Sequence, residues 1–74
     1  MTKLPRVSAD KVIKTLRRAG FQIVRQRGSH LILEHADGRM TIVPMHRGED
    51  IGVGLLRKIL RDAELTLEEF QNLK

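Results

Sequence analysis

Cysteine is missing from this 74-residue chain, as are tryptophan and tyrosine, and Phe21 and Phe70 are its whole aromatic content. Without cysteine there is no disulfide framework, no thiolate metal site and no cysteine nucleophile, a composition at home in a reducing cytosol. Aromatics at 3% leave no set of stacking platforms of the kind that grip single-stranded bases in RRM or OB domains. No apolar run approaches the roughly 20 residues that cross a bilayer, and residues 1–8 carry no hydrophobic signal core. The expected location is therefore the cytoplasm, with no membrane partner.

What is present is the composition of a folded globular protein, 41% hydrophobic and 31% charged, too apolar for intrinsic disorder. The length allows one domain over residues 1–74, since chains divide into separate cores only when several times longer. A domain this small buries only about 60% of the surface its unfolded chain exposes, so a partner that adds burial is expected to matter.

Charge is unevenly placed. The whole chain carries +5, yet residues 1–30 alone hold eight cations against the single anion Asp10, a net +7, and the remainder sums to −2. Scattered cations are usually a solvated surface, but a one-sided excess in so small a chain points to a polyanion, and nucleic acid is the first candidate.

The pattern predicts element order α-β-β-β-α-α. Ser8 is an N-cap, Val7 can staple onto Val12, and Ala9, Val12, Ile13, Leu16 and Ala19 form one apolar stripe. Lys11, Lys14, Arg17 and Arg18 lie opposite that stripe, and Gly20 supplies a left-handed stop. Residues 21–27 and 30–35 read as two strands around Gly28-Ser29, with Leu31 and Leu33 alternating against His30, Ile32 and Glu34. Asp37-Gly38 is a turn pair, residues 39–43 a third strand, and Pro44 ends the ladder. Residues 45–54, with Gly48, Gly52 and Gly54, read as a loop. Leu55, Leu56, Ile59, Leu60 and Ala63 space a second helix, and Thr66 with Glu69 forms a capping box for a third. The expected fold class is α+β, a two-layer sandwich with a three-stranded antiparallel sheet covered on one face and open on the other.

Most familiar chemistry fails on spacing. Ser29 and His30 are strand neighbours and face opposite ways, which removes a serine triad. His30 and His35 are five apart on one strand, and neither HxH nor HExxH occurs, so no metal is expected. The glycines at 48, 52 and 54 lack the lysine of a phosphate-binding loop and stand beside Glu49 and Asp50. What is left is His30, just past the Gly28-Ser29 turn, close in sequence to Arg25 and Arg27. RNA can be cut without metal if the 2′-OH is deprotonated to attack its own phosphorus, the leaving 5′-oxygen is protonated, and a cation steadies the phosphorane. Histidine suits either proton role and arginine the electrostatic one. Spacing alone equally fits a half-exposed strand histidine bonded to its turn.

Gly20-Phe21, Gly28-Ser29-His30, Val43-Pro44-Met45-His46, the run from Gly54 to Ala63 and Glu68-Glu69-Phe70, in this order and spacing, resemble the HicA (YcfA-like) toxin family over almost the whole chain. The resemblance implies a fold like the double-stranded-RNA-binding domain and an endoribonuclease of the mRNA interferase kind. It also implies a catalytic histidine at His30, no cofactor, and a HicB-like antitoxin as partner. Lys11, Lys14, Arg17, Arg18, Arg25, Arg27 and Ser29 are then candidate RNA contacts, and His46 a candidate second proton-transfer group. Two positions depart from the family's usual pattern: Leu55 stands where threonine is frequent, and Glu64 where glycine is frequent in the turn before the last helix. Two other functions compete with the nuclease: a non-catalytic RNA-binding module and a protein-interaction domain.

Overall fold

A computed structural model describes residues 6–45 and 50–74 of the chain. Its elements are β1 (Val7–Ser8), α1 (Ala9–Arg18), β2 (Phe21–Arg27), β3 (His30–His35), β4 (Met40–Pro44), β5 (Asp50–Ile51), α2 (Val53–Ala63) and α3 (Leu67–Leu73). Strands β2, β3 and β4 form an antiparallel meander in that order, and β1 and β5 make a separate two-stranded ribbon. The α-β-β-β-α-α order and the α+β class hold. The ribbon is an addition: the expected loop is interrupted at Asp50–Ile51, where β5 pairs with β1 and places buried Val7 against buried Ile51, and α2 already begins at Val53.

One face of the meander is covered. Leu33 and Val43 are fully buried under Val12, Leu16, Leu56 and Ile59, and Phe70 of α3 closes the core beside them. The Cα envelope is only 17 Å in its shortest dimension, room for one helix layer on one sheet, and none of the described helices covers the second sheet face. Local signals act as their chemistry requires. The Ser8 hydroxyl accepts from the Lys11 N–H, and Thr66 and Glu69 complete the reciprocal capping box of α3. Thr15, on the buried side of α1, satisfies its hydroxyl by donating to the Lys11 carbonyl at 2.7 Å.

The end of the sheet away from the β2–β3 turn is tied to the helices by one cluster. The Arg39 guanidinium lies 5.2 Å over Phe21, its Nε contacts the Asp37 carboxylate at 2.8 Å, and its Nη1 donates to the Ala63 carbonyl at 2.6 Å. That last bond satisfies an orphan acceptor at the C-terminus of α2 with a cation, the sign favoured there. Phe21 meets His35 edge to face, with ring centroids 5.3 Å apart, and Nδ1 of His35 accepts from the Asp37 N–H. Gly20 belongs to the same cluster. It has φ +103°, and a Cβ there would lie 2.7 Å from Nε2 of His35, so the position requires glycine for conformation and for space.

Helix α2 ends on Glu64, whose φ of 54° is left-handed, the only positive φ among the described non-glycine residues. Glutamate thus adopts the conformation that glycine takes without strain, and the helix stops in the same geometry. Leu55, the other departure, is half-buried and packs on the core.

Two predictions follow from this architecture. Glu64→Gly should raise unfolding stability by about 1 kcal/mol, the left-handed penalty of a residue with a Cβ less the added flexibility of the unfolded chain; urea unfolding of both proteins measures it. The second concerns acid. The Arg39 backbone N–H holds the Asp37 carboxyl below the usual carboxylate range, and the Thr66 backbone N–H does the same for Glu69. A carboxylate depressed by folding stabilises above its unfolded pKa, and that contribution disappears as pH falls through the folded value. The urea midpoint should therefore drop between pH 5 and pH 3, and drop less steeply in the Asp37→Asn, Glu69→Gln double variant.

Candidate active site

The sequence places Phe21, Ile23, Arg25 and Arg27 at alternate positions, which in a regular strand would put both arginines on the covered face with Phe21. The structure does otherwise. Ile23 pairs with Leu33, but Arg25 pairs with Ile32, so Val24 is an extra residue and the register shifts at a β-bulge. Beyond the bulge the strand's faces exchange, because a one-residue slip turns every later side chain over. Arg25 and Arg27 emerge on the open face beside Ile32 and His30.

His30 is the first residue of β3, exposed, and paired directly with Arg27 on one side and Pro44 on the other. The intervening Gly28-Ser29 turn has φ +56° at Gly28, the sign demanded at the first central position of a type II′ hairpin. Two contacts brace it. Nε2 of Gln26 donates to the Gly28 carbonyl at 3.1 Å, and the Met45 N–H donates to the Ser29 carbonyl, anchoring the turn to the end of β4. Half-buried Ser29 thus contributes its backbone to the turn, and no hydrogen bond of its side chain occurs among the described residues. Arg27, His30, Ile32 and Ile42 line an open depression of about 270 Å³.

The structure therefore brings His30, Arg25 and Arg27 to one face. It does not bring the α1 cations there. Lys11, Lys14, Arg17 and Arg18 are exposed on the helix layer, which packs against the opposite side of the sheet. Arg18 also has a structural task, donating from Nη1 to the Leu73 carbonyl at 2.9 Å and so joining α1 to the end of α3. His46 lies outside the described residues. Among those described, no three His, Asp or Glu side chains group together as a metal site would require, and no helix is long and apolar enough to cross a membrane.

Sequence reasoning missed the apolar character of the open face. Val24, Met40 and Ile42 are 55%, 52% and 48% exposed there, next to half-buried Ile32. Alternation had given Ile32 an outward position, but no signal in the sequence marks Val24 as the bulged residue.

A helix, three antiparallel strands and a second helix, with both helices on one sheet face, define a small α+β protein of the double-stranded-RNA-binding-domain type. Comparison with protein families then gives a particular assignment: residues 9–65 match the family described as HicA toxin of bacterial toxin-antitoxin, and the chain belongs to that family. It stands on the toxin side of a toxin–antitoxin pair, and membership implies an antitoxin partner of the HicB kind. No curated protein matches the chain.

Because His30 and Arg27 are exposed and outside the core, replacing either with alanine should change stability by no more than about 0.5 kcal/mol. Thermal and urea unfolding check this, and a larger loss would show that the pair holds the hairpin together.

Proposed function

We propose that the chain is an endoribonuclease that cuts mRNA without a metal ion and thereby blocks translation, with His30 as its general acid or base. The observation that carries this reading is that exposed His30 and exposed Arg27 are cross-strand partners on the open sheet face and line one depression. An RNA phosphate seated in the depression between them has a proton-transfer group and a fixed cation on the same side. His30 takes the proton of the 2′-OH as its oxygen bonds to phosphorus, or gives one to the 5′-oxygen as the P–O bond breaks. Arg27, with Arg25 two residues back, offsets the charge that builds on the phosphorane oxygens. The products are a 2′,3′-cyclic phosphate and a 5′-hydroxyl, and no atom outside the RNA is consumed in this step.

Gly28 and Ser29 act through geometry, since the turn fixes where the ring starts. His46 is the candidate for the second proton transfer. The cations of α1 attract RNA in general and do not enter the chemistry. A HicB-like antitoxin is the expected inhibitor, and the cytoplasm the expected site of action.

The test is cleavage of RNA in EDTA by the purified chain without antitoxin. Wild type is expected to cut, and His30→Ala to be slower by about 10²–10⁴-fold, the usual worth of a positioned acid or base. His46→Ala in the same assay reads whether a second imidazole shares the work. If wild type and His30→Ala are equally inert on every RNA tried, yet both bind RNA in a salt-sensitive way, the chain is a binding module and the nuclease reading fails.

A further inference from the structure

A second depression adjoins the one at His30. It measures about 370 Å³ and is lined by Val24, Arg25, Ile32, Glu34, Met40 and Ile42. The two share Ile32 and Ile42, so they form one continuous trough along the open face. We propose that this larger depression is a nucleobase subsite. It takes one unpaired base of the RNA whose phosphate lies at Arg27 and His30, and Glu34 accepts a hydrogen bond from the base's exocyclic amine. The proposal rests on the nuclease reading for the position of the phosphate and goes beyond it in the form of RNA recognised.

Three observations carry it. First, an open antiparallel face is normally polar, yet this one gathers Val24, Ile32, Met40 and Ile42, three of them about half exposed. That apolar floor is matched by the flat face of a base, and the volume falls in the range of small-ligand clefts, about 300–1,000 Å³. Second, the rim is polar. The arginine and lysine ion pairs among the described residues are Arg39–Asp37 and Lys58–Asp62, so Arg25 and Glu34 face the depression without such partners. An arginine suits the backbone, and a carboxylate, which only accepts, suits an amine such as cytosine N4. Third, the cationic residues stand nearer the β2–β3 turn and the carboxylate farther along β3, the polarity a nucleotide has from phosphate to base edge.

Duplex RNA does not fit this surface. Its bases are stacked and its accessible groove offers 2′-hydroxyls and phosphates, none of which fills an apolar trough. Both phenylalanines are buried, so the base rests on branched aliphatic groups and a thioether, a weaker hold than stacking on a phenyl or indole ring.

The experiment follows the methyl resonances of Val24, Ile32, Met40 and Ile42 in the full-length His30→Ala protein, which leaves the RNA intact, during titration with single-stranded oligocytidine, single-stranded oligouridine, and a duplex of equal length. Oligocytidine is expected to shift these methyls and to bind about tenfold tighter than oligouridine, whose base has no amine. Glu34→Gln should shrink that ratio, and the duplex should leave the methyls in place. Single strands that bind without moving these methyls, or a duplex that moves them equally, would overturn the subsite. Equal binding of the two pyrimidines would remove Glu34 from it. Should a HicB-like antitoxin move these resonances while no RNA does, the face is a protein-docking surface instead. Since binding is read without cleavage, wild type that is inert in EDTA would sink the nuclease reading and leave this measurement to stand or fall on its own.

Discussion

A single extra residue in β2 decides what the open face can do. With Val24 bulged out, Arg25 and Arg27 are turned onto the side of the sheet that carries His30. In a regular strand both guanidinium groups would point toward the helix layer, where Leu31 and Leu33 pack, and their burial without carboxylate partners would cost several kcal/mol. The bulge therefore resolves two requirements together. The core keeps Phe21, Ile23 stays at the sheet edge, exposed, and the cations reach solvent beside the imidazole. It also blunts β2 as an edge strand, because a twisted, bulged and charged edge pairs poorly with another chain.

The sheet divides its labour along its length. At the β3–β4 end, Arg39 joins Phe21, Asp37 and the last turn of α2, and Gly20 lets His35 pack closely. At the β2–β3 end, His30 and Arg27 touch none of this. Five residues of extended chain separate His30 from His35, roughly 17 Å. Changes at the candidate catalytic end are thus insulated from the cluster that binds the layers together, and stability and activity can be altered one at a time.

Much of this was legible in the residues. Ser8, Thr66 with Glu69, the Asp37-Gly38 turn and the apolar spacing of α1 and α2 each act through local chemistry that the sequence displays directly, and the element order followed. The ribbon of β1 and β5 was hidden because two residues give no periodicity, and glycines around β5 read as loop. The bulge was hidden for a different reason: alternation assigns faces only while the register is regular, and nothing local distinguishes Val24 from Ile23. The left-handed Glu64 was visible only as a departure from the family pattern, and its conformation had to come from the backbone. As for the candidate site, His30 and its two nearest arginines stand out in the sequence through the turn they flank, whereas the apolar trough depends on which side chains three strands present together.

The charge excess of the first thirty residues, read as one footprint, separates into two. Lys11, Lys14, Arg17 and Arg18 sit on the solvent side of the helix layer, and Arg25 and Arg27 on the far face of the sheet. Packed layers of secondary structure lie roughly 10 Å apart, and the charged tips extend farther still on either side. At physiological ionic strength the Debye length is about 8 Å, so the α1 cations add little to the potential felt by a phosphate at His30. Their field acts at longer range and low salt, on the rate at which a polyanion arrives. In the proposed reaction, electrostatic stabilisation falls to Arg25 and Arg27, the two of these six cations that share the surface of His30, and the bulge places them there. The net +7 of the first thirty residues thus does not act as one field: four of these six cations face solvent on the helix layer, and two stand on the sheet face that carries His30.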